Sequence, residues 1–420
     1  MKPAYGVISD DFTGGLLIAS YFEEAGLESP VFFDPEVAAA AAPLGAPIVI
    51  IAGRTRLVPV EEARGELGRA LDAMQTLGCG TVAYKACASF DSTEEGNIGL
   101  AADMLSDRFE QVPILLSAGF PEFRCVVSMG HLFYQSVLVN ESVKRFDPVT
   151  PMSDPNLVRF LSKQTRTPVG HVSHLDLVRG NDAAQSALAA QVAKGHRHVL
   201  LDCADDNDVA VSARLARDNR ALVASDPLCI SAGLDRCAGS EGTAPPPRHA
   251  QGPAAVLIGS VGPVAEQQTA AFEAHYPVLR LDLTAEDDEE AQVADVLERA
   301  SAHVGLRPFA VTTLADDAGV KAAQAKFGRL GAARRAERLL AGIATGLHAA
   351  GIRRFIVSGG ETSGAVVGAL GITRVRAFAR GPLGGGFCVS QGSDPVSFFL
   401  KSGKLGAPDV LIGALAEMDR

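Results

Sequence analysis

The residues best equipped for chemistry fall in a few short stretches of this 420-residue chain. From Val357 to Ala365 it reads VSGGETSGA, directly after the apolar run Phe355-Ile356-Val357 and running into the helix-like AVVGALGI. A strand, a tight glycine turn and a helix start aim backbone N–H groups and the positive end of a helix dipole at one point, where an anionic phosphate binds well. Gly359 and Gly360 permit close backbone approach, and Thr362 and Ser363 add hydroxyl donors. The turn lacks the Gly-Lys-Ser/Thr of a Walker loop and the GxGxxG of a dinucleotide fold. By itself it reads equally as a glycine turn with a Ser or Thr helix cap.

Near the N-terminus, Gly6-Val7-Ile8 runs into Ser9-Asp10-Asp11-Phe12-Thr13-Gly14-Gly15. Two adjacent carboxylates beyond a strand end could accept a proton from a substrate hydroxyl, or hold hydroxyls by charge-assisted hydrogen bonds. An Asp helix cap with a solvated neighbour is the plainer alternative. Tyr84-Lys85 closes another strand and is followed by ACASFDSTEEGNIG. Ser89, Asp91, Ser92, Thr93 and Asn97, with Lys85 as counter-charge, could grip a polyol bearing a carboxylate; a loop of Asx and Ser/Thr turns is the competing reading. A third cluster runs from Gly119 to Arg124 and on to Gly130-His131-Leu132-Phe133, where His131 alone reads as a packed histidine.

These clusters need strand ends and helix starts to position them. Apolar runs at Tyr5–Ser9, Val31–Phe33, Ile48–Ile51, Thr81–Tyr84, Ile114–Leu116 and Val199–Asp202 alternate with periodic segments such as Glu61–Leu77 and Asp182–Lys194. Strands apolar on both faces, joined by amphipathic helices, predict an α/β protein with largely parallel sheets. The stretch AGSEGTAPPPRHAQGP, from Ala238 to Pro253, continues neither a helix nor a central strand. It predicts two domains, residues 1–240 and 254–420, joined by a proline-rich linker over 241–253. In the second, Ala255–Ile258, Pro277–Leu281, Phe309–Thr312, Phe355–Val357 and Val375–Phe378 read as strands. Glu286–Val304, with an acidic first turn of Glu286, Asp287, Asp288 and Glu289, and Arg334–Ala349 read as helices. No internal repeat is visible.

Composition narrows the function classes. Hydrophobic content of 47% and charged content of 21% describe a well-packed globular chain. A net charge of −11 argues against a nucleic-acid-binding surface. The seven cysteines are scattered without a CxxC, which suggests reduced thiols rather than disulfides or structural zinc. His171 and His174, lacking a third ligand nearby in sequence, read as structural. With no signal peptide and no bilayer-spanning run, a cytoplasmic location away from membranes is expected.

Taken in order, DDFTG, the YK…SFDST…GNIG stretch, GHLF and NESVKRFDPVTPMSDPNLVRFLSKQT closely resemble the four-carbon acid sugar kinases, formerly a domain of unknown function, and most of all their 3-oxo-tetronate kinase branch. Gly259-Ser260, GGETSGAVVGALGI and the final Leu400–Gly406 stretch agree, so the resemblance spans nearly the whole chain. It implies an N-terminal domain that binds the acid sugar, a C-terminal domain that binds Mg2+-ATP, and phosphoryl transfer to the terminal hydroxyl in the cleft between them. By motif match, Ser260, Gly359, Gly360, Glu361, Thr362, Ser363 and Gly403 would contact the nucleotide, with Lys401 adding positive charge. Asp10, Asp11, Arg56, Lys85, Ser89 and Asp91 would line the acid site. There Asp11, or failing it Asp10, would serve as base, and Arg56 and Lys85 would hold the carboxylate. No metal ligands are assigned, and a homodimer is left open.

The chain departs from the family pattern at Leu17, at Ala88-Ser89 and over Pro121–Arg124, which leaves the sugar acid open among 3-oxo-tetronate, D-threonate, L-threonate, D-erythronate and a branched 3-oxo acid, and at Lys404, a departure that bears on the nucleotide end. A non-catalytic sugar-acid binding protein would share the two-domain build. A NAD-dependent dehydrogenase would want a third glycine after Gly259-Ser260-Val261-Gly262, where Pro263 stands instead.

Overall fold

The computed structural model describes residues 2–147, 150–240, 242, 244–285, 288–313, 317–403 and 405–420, without the side chains of Asp317, Arg329 and Leu330. Glu286, Asp287 and Lys404, named above, lie outside the described residues. The chain forms two compact units, Met1–Pro245 and Pro246–Arg420.

The first unit is wound on eight strands: β1 (Tyr5–Ser9), β2 (Pro30–Phe32), β3 (Ile48–Ala52), β4 (Thr81–Lys85), β5 (Ile114–Ser117), and, after a small separate sheet, β9 (Val169–Val172), β10 (His198–Leu201) and β11 (Ala221–Ala224). They pair in the order β2-β3-β1-β4-β11-β5-β10-β9, every neighbour parallel. Side chains from β1, β3 and β4, such as Ile8, Ile51 and Tyr84, join helix residues Leu67, Leu71, Ile98 and Leu105 in one core. Burial on both faces explains why these strands are continuous apolar runs rather than alternating ones. The chain leaves β1 toward β2 and β3 but leaves β4 toward β5, so its winding reverses between β1 and β4. In open parallel sheets, the carboxyl ends flanking such a reversal form a crevice where ligands bind.

The third polar cluster of the sequence is a separate antiparallel sheet of β6 (Cys125–Ser128), β7 (His131–Tyr134) and β8 (Val137–Leu138). Its two-residue turns, Met129-Gly130 and Gln135-Ser136, have positive φ throughout, as hairpin turns that match strand twist require. Met129 and Gly130 donate their N–H groups to the Asp202 carboxylate, at 2.6 and 3.0 Å, which ties the hairpin to the end of β10.

The second unit contains β12 (Ala254–Ile258), β13 (Val278–Arg280), β14 (Phe309–Thr312), β15 (Arg354–Ser358), β16 (Arg374–Ala377), β17 (Phe387–Ser390) and β18 (Ser397–Lys401). Their order is β13-β14-β12-β15-β18-β17-β16, parallel as far as β18 and antiparallel beyond it. The first four strands repeat the winding of the first unit, with the reversal now between β12 and β15. The helix expected over Glu286–Val304 is described from Glu289 to Ser301, and Arg334–Ala349 forms the end of a longer helix, Asp317–Ala349, kinked at Gly328.

Candidate active site

At the β1/β4 reversal, the two carboxylates divide the work. Asp10 is fully buried and takes a bidentate pair from Arg56, Nε to Oδ2 at 2.9 Å and Nη2 to Oδ1 at 2.8 Å. Asp11 caps the helix Phe12–Glu24: Oδ1 accepts the Gly14 N–H at 2.8 Å, and Oδ2 accepts the Thr13 hydroxyl at 3.0 Å. Arg56 Nη1 also approaches Asp11 Oδ2 at 3.1 Å, and the Asp11 side chain is 27% exposed where that of Asp10 is 0%. The capping alternative is therefore real, and it leaves part of the Asp11 carboxylate accessible. Burial pushes the Asp11 carboxyl up, but Arg56, Lys85 and the two hydrogen bonds more than offset this and hold it below the usual range.

Lys85, at the end of β4, does not stand free. Its side chain is 3% exposed and its ammonium lies 3.3 Å from Asp226, a buried carboxylate that follows β11. Burial opposes the Lys85 charge, but Asp226, then Asp11 and Asp10, overcome it and raise the group above an ordinary lysine. Burial also raises the Asp226 carboxyl, with Lys85 opposing. Lys85 is enclosed in this geometry, its charge facing Asp226 and then Asp11. Gly14 makes the enclosure possible, since a Cβ there would meet Lys85 Nζ at 2.5 Å.

The segment after β4 brings Ser89 and Asp91 to the same place. The Ser89 hydroxyl donates to Asp91 Oδ1 at 2.7 Å, and Lys144 Nζ donates to Asp91 Oδ2 at 2.5 Å. Behind them, Thr55 meets the buried Tyr84 hydroxyl at 2.8 Å, Asn97 donates to it at 2.7 Å, and Ser92 donates to Asn97 at 2.9 Å. Gln164 completes the brace, accepting the Gly99 N–H at 2.8 Å and donating to the Thr93 carbonyl at 2.6 Å. The structure thus places Asp10, Asp11, Arg56, Lys85, Ser89 and Asp91 on neighbouring strand ends.

At the β12/β15 reversal, Gly359 caps the helix Gly360–Ala369 with φ 133°, a backbone open to glycine alone. No side chain caps this helix, and no acceptor among the described residues takes the N–H groups of Gly360, Glu361 and Thr362. The Ser363 hydroxyl is buried and donates to the Gly359 carbonyl at 2.7 Å. Ser260 follows β12 with its N–H on the Ser358 carbonyl at 3.2 Å. A Cβ on Gly403 would land on the Ser260 hydroxyl, and one on Gly359 would lie 3.1 Å from it. Ser260, Gly359 and Gly403 therefore converge on one small cradle. Lys401, at the end of β18, is 7% exposed and donates to Gln268 Oε1 at 2.9 Å and Ser358 Oγ at 3.0 Å. Among the described residues it has no ion pair, and burial alone pulls it down to about 8. A buried ammonium held by neutral groups is a charge in search of an anion.

Sequence residues 5–234 match a sugar-binding N-terminal domain and residues 255–411 a nucleotide-binding C-terminal domain. Over the whole of both chains, the protein is 36% identical to a 3-oxo-tetronate kinase of Methylobacterium radiotolerans. It is 33% identical to one of Burkholderia multivorans, with 100% of this chain and 98% of the relative covered. The chain belongs to the four-carbon acid sugar kinase family. As a member, it is an ATP-dependent kinase acting on a sugar acid. Solved structures agree. A Salmonella typhimurium LT2 protein described as a tRNA synthase superposes with a TM-score of 0.85 at 31% identity, covering 98% of this chain and 99% of its own. A Haemophilus influenzae protein reaches 0.78 at 28%, covering 98% and 100%.

Sequence reasoning missed two members of the acid site. Asp226 is a lone Asp-Pro after a short apolar run, and Lys144 lies 53 residues from Asp91. Only the β4-β11 pairing could have flagged the first; the second stands in the NESVKRF stretch of the family resemblance, but its contact with Asp91 needed the fold. It also missed that His174 Nδ1 sits 2.9 Å from Asp208, in a His174, Asp205 and Asp208 group whose ligand atoms lie within 4.8 Å of one another. The hydrogen bond to Asp208 raises His174 above an ordinary histidine. Among the described residues, no helix is long and apolar enough to cross a membrane.

Proposed function

We propose that the protein phosphorylates the terminal hydroxyl of 3-oxo-tetronate, giving 3-oxo-tetronate 4-phosphate. Full-length likeness to proteins named 3-oxo-tetronate kinase carries this reading. In it, the polyphosphate of ATP lies on the uncapped N–H groups of Gly360, Glu361 and Thr362, with Ser260, Gly359 and Gly403 shaping the cradle and Lys401 supplying the missing counter-charge. Magnesium favours a few carboxylate oxygens together with phosphate and water. Glu361, exposed in the first helical turn, and Glu337, whose carboxyl is raised by burial and then by the Glu361 charge, are the oxygen donors that fit it. The ion would neutralise charge developing on the transferred group.

In the acid site, Asp11 orients the attacking hydroxyl and takes its proton as the oxygen–phosphorus bond forms. The held-down Asp11 carboxyl makes it a better orienting acceptor than proton sink, which suits a loose phosphoryl-transfer transition state. Asp10, with both oxygens on Arg56, fixes the guanidinium instead of reacting. Ser89 and Asp91 receive substrate hydroxyls. The test is ATP consumption with a panel of four-carbon acids and their 3-oxo forms, with phosphorus NMR locating the new ester. Turnover on 3-oxo-tetronate well above that on D-threonate, L-threonate and D-erythronate is expected; preference for a plain tetronate would replace the named substrate, and no ADP with any acid would sink the reading.

A further inference from the structure

The acid site already holds one more carboxylate than cation before any substrate arrives. Asp10, Asp11, Asp91 and Asp226 face Arg56, Lys85 and Lys144, four carboxylates against three cations. A sugar acid brings a further negative charge and needs a cation that is within reach and has donors to spare. Lys85 fails on reach, at 3% exposure and with its ammonium on Asp226. Arg56 is 18% exposed and keeps two of its five N–H donors, but its charge already answers two carboxylates, Asp10 and Asp11.

Lys144 is within reach and answers a single carboxylate. Its side chain is 23% exposed, and an ammonium carries three N–H donors, of which Asp91 takes one. Among the described residues, Asp91 is its one carboxylate partner, and the remaining face of the ammonium lies 5.4 Å from the centroid of the Tyr134 ring. The short turn that carries it, Val143–Phe146, is fixed: Ser142 Oγ accepts the Lys144 N–H at 3.1 Å, and the Met152 N–H bonds to the Lys144 carbonyl at 3.2 Å. Asp91 in turn is held by Ser89. The outcome is a pre-positioned, partly compensated cation at the margin of the hydroxyl-binding groups.

We infer that Lys144 binds the carboxylate of the sugar acid, with Arg56 kept to orient Asp10 and Asp11. This rests on the kinase reading above and assigns its acid-recognising charge. It also separates acids from neutral sugars: a carboxylate compensates Lys144, and a hydroxymethyl group in its place does not.

The test compares wild type with Lys144→Met and Lys144→Arg on 3-oxo-tetronate and on the matching four-carbon ketose, in which a hydroxymethyl group replaces the carboxylate. Loss of a charge-assisted contact predicts a rise of about 10- to 100-fold in the KM for the acid in Lys144→Met, partly restored in Lys144→Arg. The KM for ATP should stay within about threefold of wild type, and any loss on the ketose, which reaches it only through the unpaired Asp91, should be well below the loss on the acid. An unchanged acid KM in Lys144→Met, or an equal loss on acid and ketose, overturns the inference. Calorimetric titration of the acid into each protein without nucleotide reads the same contact independently of turnover. Wild type that binds the acid through Lys144 but makes no ADP therefore refutes the kinase reading and keeps the inference, and active wild type with indifferent Lys144→Met does the reverse.

Discussion

Asp11 and Lys401 show how much a single side chain decides here, and they differ in kind. Asp11 is at once a helix cap and the reachable carboxylate of its pair. Asparagine caps helices as well as aspartate does, so Asp11→Asn should leave the melting temperature within a few degrees of wild type. The same variant should lower kcat by about 100-fold or more through loss of its acceptor role, with the ATP KM little changed; near-normal turnover would remove Asp11 from the base position. Lys401 is read out by pH. Its folded pKa of about 8 lies below the ordinary 10.5, so the free protein carries a penalty for holding the charge that is relieved as pH climbs from about 8 toward 10.5, and it gains stability over that window. Nucleotide binding runs the other way, because an anion favours the protonated form. ADP affinity should be steady below pH 8 and weaken above it by up to about tenfold per unit, and Lys401→Met should flatten that slope. At this scale the sequence was legible wherever function rests on a local run. Asp10-Asp11, Ser89-Asp91 and the Gly359–Ser363 turn stand out because the contributing residues are consecutive. Asp226 and Lys144 do not, since each joins the site through strand pairing or a turn that no local pattern announces. The fate of Lys85 was hidden with them: without Asp226 in view, an isolated strand-end lysine looks available.

Elements explain why the glycines near the phosphate cradle are irreplaceable. Gly359 stops one strand and starts one helix at φ 133°, where an L side chain costs on the order of 1–3 kcal/mol. Gly359→Ala should therefore lose roughly that much stability in denaturant unfolding and weaken ATP at the same time. Gly403→Ala separates the two effects, because Gly403 has no positive φ and the added Cβ only displaces Ser260. That variant, free of backbone strain, should lose clearly less stability than Gly359→Ala while its ATP KM rises by at least as much. If the ATP KM is unmoved, the cradle is drawn in the wrong place. The parallel strands and their helices were readable because burial on two faces writes a continuous apolar run. In the antiparallel end of the second sheet, β16 was readable as Val375–Phe378, but β17, β18 and the β6–β8 hairpins were not. The hairpin turns rely on Met129, Gln135 and Ser136 at positive φ, residue types that carry no turn signal of their own.

Across the whole molecule, the division into Met1–Pro245 and Pro246–Arg420 falls inside the proline-rich stretch, with the proposed acid groups in the first unit and the proposed nucleotide groups in the second. Differential scanning calorimetry should show this directly. A non-hydrolysable ATP analogue should raise the transition of the C-terminal unit, a sugar acid that of the N-terminal unit, each by RT ln(1 + [L]/Kd). A single transition responding equally to both would mean the halves melt as one. Both units also wind their first four strands alike, β2-β3-β1-β4 and β13-β14-β12-β15, although the sequence shows no repeat between them. Ligand chemistry is thus addressed by the direction in which the chain turns, and the residues at each address are free to differ. For anyone wishing to retarget the enzyme, the tunable positions are the few residues just past the ends of β1 and β4, which can be rewritten while the strands that deliver them are left alone.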